Sequence, residues 1–223
     1  EVDAARARNE QIAAEVALDN LRRIQWLALT IVALNLVHAM LFHGSAAADS
    51  ARVAQWRHEL FLAHATSAVV VSLLGLLAVT FRLRWPEHTR WHQACAAVTL
   101  LAGLAFAATV TAIDQRVTPN ITPFLIGSAL VGIVILQRPL VNLALYAAGL
   151  ALFYVLIGQT QLDPAMLGSN RVNGLTAAVL GWLLATMSWR KTAVNLVLTR
   201  QLAQRQRELE AKQTELRRLA TRD

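Results

Sequence analysis

An all-α, polytopic membrane protein is the fold class this sequence predicts, and three observations carry the prediction. Apolar residues make up 56% of the 223-residue chain and the mean hydropathy is +0.43, more than a water-facing surface tolerates. They form runs long enough to cross a hydrocarbon core that needs about 20 residues of helix. The net charge of +7 comes from Lys and Arg placed between those runs and at both ends, which suits a positive-inside topology and argues against a nucleic-acid partner.

In chain order, residues 1–23 place Ile12, Val16, Leu18 and Leu21 at roughly helical spacing and end on Arg22 and Arg23, which predicts an amphipathic lead-in helix. Crossings are expected at 24–43, 59–81 and 91–113. Two shorter ones at 121–137 and 140–158 are parted only by Arg138 and Pro139, a break that admits nothing longer than a tight helical hairpin. The sixth crossing is 174–189. Three regions follow: the lead-in helix at 1–23, a six-helix transmembrane domain at 24–189 and a charged segment at 190–223.

Six crossings put both termini on one face. That face would hold Arg6, Arg8, Arg22, Arg23, Arg82, Arg84, Arg90, Arg138, Arg190 and Lys191. The other would hold Arg52, Arg57, Arg116 and Arg171, balanced by Asp49, Glu59, Asp114 and Asp163. Both termini are therefore expected in the cytoplasm. Trp26, Trp85, Trp91 and Trp189 fall at the inner boundary and Trp56 at the outer one, as aromatic belts do.

The sixth crossing passes without proline into 190–223, where Leu198, Leu202, Leu209, Leu216 and Leu219 occupy a and d positions of a heptad with Asn195, Arg205 and Lys212 as polar members. A parallel dimeric coiled coil is expected, because one helix alone leaves that seam bare and polar a or d residues fix register. The lone Cys95 excludes an intrachain disulfide and a cysteine metal cluster. The chain opens on Glu1 with no cleavable signal peptide, and is expected to be a fragment.

Two constellations could sense something. His38 and His64 lie within crossings, about 21 and 25 Å from the inner boundary at ~1.5 Å per residue, and ionisable groups at such depth usually face a bundle interior or cavity. With His43, His58 and Glu59 near the outer ends of the same helices, they could hold haem or a first-row transition metal; the plainer alternative is a neutral histidine bonded to Asn35. The second constellation is an outer rim of loops. There Asp114, Gln115, Arg116, Thr118, Asn120 and Thr122 would face Ser169, Asn170, Arg171 and Asn173 and take a small polar ligand, with Arg171 as anion clamp and Asp114 as its counterpart. An Asp114–Arg171 pair that merely staples two loops is the alternative. His88 and His92 are expected at the inner headgroups. Asn142, Tyr146 and Tyr154 are expected as polar members of the bundle core, with a quinone-sized pocket as the alternative.

Four stretches carry a family resemblance: DQRVTPNITPFLIG at 114–127, LQRPL at 136–140, GSNRVNGLTA at 168–177 and LRRLATRD at 216–223. They resemble the membrane sensor region and coiled-coil linker of bacterial GGDEF-type diguanylate cyclases. The resemblance implies a homodimer in the bacterial inner membrane, passing a signal to a C-terminal domain that condenses two GTP into cyclic di-GMP with magnesium. No two glycines are adjacent, so the GGDEF signature is absent, and with it the GTP and magnesium sites; no residue here is expected to be catalytic. A transporter would need an inverted repeat, a broken mid-membrane helix or an acidic residue at mid-depth, and none is evident. A plain dimerising anchor is the remaining alternative.

Overall fold

The computed structural model of the chain describes residues 2–43 and 50–220. Within them the fold is all-helical: α1 (Val2–His43), α2 (Ala51–Arg84), α3 (Thr89–Asp114), α4 (Thr122–Val134), α5 (Pro139–Thr160) and α6 (Pro164–Ala220). The chain divides into two compact units, Glu1–Trp189 and Arg190–Asp223. Asp49, the side chain of Leu219 and the last three residues of LRRLATRD lie outside the described residues.

The helix starts have local causes. Val53 N–H donates to the Ser50 hydroxyl ahead of α2, and Thr122 N–H donates to Asn120 Oδ1 at 2.8 Å ahead of α4. Pro139 opens α5, where a missing N–H costs nothing. Pro164 opens α6 behind Asp163, whose carboxylate accepts from the Ala165 and Met166 amides at 2.8 and 3.1 Å. This cap corrects the expectation of a loop at 163–173: Ser169, Asn170, Arg171 and Asn173 stand on the first turns of α6. The lead-in helix is likewise no separate element. Residues 2–43 contain no Gly or Pro, and α1 runs through them unbroken.

The first unit has an apolar core with polar side chains set into it, and it is apolar outside as well. Leu100, Leu104 and Ala108 on α3 are fully buried, and α3 packs against α1, α2, α4 and α5. Asn35, His64, Ser67, Thr111, Ser128 and Asn142 are also buried. Trp26, Leu29, Leu76, Leu140 and Leu180 face outward. Such a distribution is compatible with a membrane protein, since an apolar surface this extensive is a liability in water. Five helices are long and apolar enough to cross a membrane, and α4 is a shorter apolar helix of 13 residues.

Helix α4 stops early, and its continuation to Arg138 is not helical. Ile135 has extended backbone, and Ile135, Leu136 and Gln137 are all buried. Their backbone groups are met by side chains from elsewhere in the unit. Asn20 grips Leu136 from both sides, its amide donating to the carbonyl at 2.6 Å and its oxygen accepting from the N–H at 2.9 Å. Asn142 donates to Gln137 O, and Trp182 donates to Pro139 O. At the α4–α6 crossing, a Cβ on Gly132 would stand 2.6 Å from Gly181 O and 2.5 Å from the Tyr146 hydroxyl. Glycine is required there by close approach.

The second unit is one helix to Ala220. Gln204 and Gln206 donate to Glu208 and Glu210 one turn on, both at 3.1 Å. Leu198, Leu202, Leu209 and Leu216 are all exposed.

Candidate functional site

The structure brings His38 and His64 together. Their rings lie 4.7 Å apart between α1 and α2. Asn35, one turn before His38, accepts from His64 Nδ1 at 2.8 Å and donates to Ser67 Oγ at 2.9 Å. With the Asn35 oxygen turned to the ring, His64 Nδ1 is the donor of this bond, and the tautomer follows the orientation of the Asn35 amide. Phe106 meets the His64 ring edge-on at 5.3 Å and Phe42 stacks on it at 5.9 Å. The result is a buried polar knot walled by aromatic rings.

The remaining candidates for that site are committed elsewhere. His43 packs on the Phe61 ring at 5.1 Å. Glu59 lies 3.0 Å from Arg116 Nε as an ion pair without hydrogen-bond alignment and accepts from Gln55 at 2.9 Å. His58 is exposed near the N-terminal end of α2. Among the described residues no three His, Cys, Asp or Glu side chains converge as a metal would require. His92 is buried rather than at the headgroups, with Nε2 2.9 Å from Trp85 O; the short α2–α3 turn folds over it.

At the expected ligand rim the organising residue is Gln115. It is buried, its Oε1 accepting from Gln161 and Asn170 and its Nε2 donating to Asn120 O, each at 2.9 Å. One amide thus joins the ends of α3 and α5, the start of α6 and the loop before α4. Gln161 lies just past the apolar run of α5, where sequence alone gave it no mark.

Asp114 and Arg171 do not pair. The Asp114 carboxylate accepts from Trp56 Nε1 at 3.0 Å, while the Arg171 guanidinium lies over the Tyr154 ring, 5.6 Å from its centroid. Tyr154 O–H donates to Arg171 O at 3.0 Å, so it lies at the rim rather than in the core. Thr122 is tied to Asn120, and Asn173 is exposed. Gln115, Asn120, Thr122 and Asn170 bond to one another, whereas Asp114, Arg116 and Arg171 turn to Trp56, Glu59 and Tyr154.

The chain matches no protein-family model, no curated protein and no solved structure.

Proposed function

We propose that this chain is the membrane-embedded sensory and dimerisation module of a diguanylate cyclase, passing its signal through a coiled coil. The observation that carries the reading is the row of exposed leucines at 198, 202, 209 and 216. A helix that repeats leucine at heptad spacing and buries none of it needs a second copy. The link to cyclic di-GMP rests on the four stretches of family resemblance; GTP and magnesium would be bound by the output domain.

The membrane reading has six crossings with both termini cytoplasmic. The short α4 is compatible with this count. Its 13 helical residues rise about 20 Å at 1.5 Å each, and the three non-helical residues after it can add at most about 10 Å at 3.3 Å each. The upper limit of the two together is the ~30 Å of a hydrocarbon core. Irregular backbone at membrane depth is tolerated only when buried in protein, as Ile135–Gln137 are. Signalling would be a population shift between two packings of the bundle, read out as the phase of the dimer seam.

The test is output against helical phase. The chain is placed ahead of a GGDEF domain with residues inserted after Gln201. Half a heptad should change cyclic di-GMP production severalfold, and a whole heptad should restore it. Output indifferent to phase overturns the reading.

A second reading, a metal- or haem-binding sensor, is favoured by one observation. Asn35 hydrogen-bonds His64 Nδ1 as outer-shell partners of metal-ligating histidines do, with His38 alongside. His38 and His64 would be the residues to hold such a group, with their rings 4.7 Å apart. Metal content and visible absorbance of the purified protein, with His38→Ala and His64→Ala alongside, decide it; a colourless, metal-free protein removes it.

A further inference from the structure

Nothing in its own sequence stops α4 at Val134. Residues 133–138, IVILQR, hold no glycine or proline, and the left-handed glycine that ends many helices is missing. Pro139 sets a limit further on, since it has no N–H to give and disfavours helical backbone at the residue before it. Arg138 is accordingly not helical, with φ −56° and ψ 141°. The sequence would therefore let the helix run to Gln137, yet the chain turns off at Ile135, with φ −99° and ψ 112°.

What stands in the way is Asn20. Ile135 N–H still donates to Val131 O as a helical residue does, and the next bonds of that series would be Leu136 N–H to Gly132 O and Gln137 N–H to Ile133 O. The first of these donors is already in use, because Leu136 N–H donates to Asn20 Oδ1 at 2.9 Å while Leu136 O accepts from Asn20 Nδ2 at 2.6 Å. One buried amide holds both backbone groups of one residue, and their polarity fixes which end of that amide is the oxygen. An Asn side chain that competes for backbone groups offers the chain an alternative to helix. Arg23, one turn on along α1, adds a 3.5 Å bond to Val134 O. The same stretch ties the other helices: Asn142 of α5 donates to Gln137 O, Gln137 donates to Gln93 O of α3, and Trp182 of α6 donates to Pro139 O.

We propose that residues 135–137 form a two-state element, non-helical while Asn20 grips Leu136 and one further turn of α4 when α1 lets go. Each residue that joins the helix exchanges an advance of up to ~3.3 Å for ~1.5 Å, so the three together draw the start of α5 toward α4 by at most about 5 Å. Helix α1 sets the state, and α3, α5 and α6 feel it through the bonds they make to the same stretch. The two arrangements use the Leu136 N–H exclusively, which makes the change discrete rather than graded. The proposal needs neither the cyclase output nor the count of membrane crossings.

Spin-label distances in the full chain, purified in detergent in a Cys95→Ala background, test it. Labels at Ile133→Cys and Leu140→Cys, both exposed positions, span the break; labels at Ile126→Cys and Ile133→Cys, exposed on α4 itself, report whether that helix is intact. Asn20→Ala should shorten the first distance by up to about 5 Å and leave the second unchanged. Adding Leu136→Pro, which removes the N–H that the extra turn needs, should restore the longer distance. An unchanged first distance beside an intact second one, or a shortening that survives Leu136→Pro, overturns the proposal. Should Asn20→Ala lose the α4 distance, Asn20→Gln, which keeps the amide but alters its reach, is measured in its place and read in the same way. Loss of the α4 distance in both variants makes Asn20 a plain structural support and overturns the two-state element as well.

Discussion

Gln115 and Arg171 both looked like ligand contacts in the sequence, and their surroundings separate them. Gln115 is buried with both ends of its amide in use, so Gln115→Leu strands the donors of Gln161 and Asn170. An orphaned buried donor costs about 1–3 kcal/mol. Arg171 is exposed and leans on Tyr154, a contact worth about 0.5–1 kcal/mol at such a site. Gln115→Leu is therefore expected to lower the apparent melting temperature in detergent by several degrees, and Arg171→Ala by a degree or two at most. The reverse order would mean that Arg171 holds the rim together. His64 supplies a similar contrast. Ser67→Ala frees the Asn35 amide that positions it, so a modest loss of stability is expected in the same melting assay, with a larger one for Asn35→Leu, which removes the partner of His64 Nδ1 as well.

The elements were legible where a residue type forces backbone geometry and illegible where composition stood in for it. Pro139 and Pro164 mark helix starts because proline is tolerated at the first helical position, but the preceding helix ends at Val134, four residues before Arg138, where no residue type marks a stop. Ser169, Asn170, Arg171 and Asn173 read as loop because they are polar, yet Asp163–Pro164 before them is a helix-start signature. A helix end outside lipid has no need to be apolar. The burial of Leu136 could not be read at all, since it depends on Asn20, 116 residues away. Glycines divide in the same way. At Gly181 an added Cβ would stand 2.8 Å from Ser128 O and 2.5 Å from the Tyr146 ring, whereas at Gly168 it meets nothing within 4 Å. Gly181→Ala should part α4 from α6 and destabilise by about 1–3 kcal/mol. Gly168→Ala should be neutral or stabilise by up to about 1 kcal/mol, through helix propensity and a less flexible unfolded chain. Thermal unfolding of the two variants side by side checks the pair.

At the scale of the whole molecule, the topology and the dimer can be tested with single cysteines, because the native Cys95 is buried and can be replaced by Ala for a silent background. The charge asymmetry predicts that Gln55→Cys, exposed at the outer end of α2, reacts with an impermeant maleimide added to intact cells. Glu87→Cys, in the α2–α3 turn, should react only after lysis. Labelling in the opposite order would invert the topology. The seam then predicts a distance. Leu209 and Thr214 are both exposed on the second unit, but Leu209 is an a position and Thr214 an f position of the same heptad. In a parallel pair the a residues face each other across the axis, close to the ~5.5–6 Å Cα separation that a disulfide spans, while f residues point to opposite sides. Burying a leucine contributes about 1.5–3 kcal/mol, so four of them per chain are enough to set this geometry against a solvated single helix. Leu209→Cys is expected to give a covalent dimer under mild oxidation in isolated membranes, and Thr214→Cys to remain monomeric. Equal cross-linking at both positions would mean random collision in the membrane, and cross-linking at neither would leave the leucine row without the partner that its spacing demands.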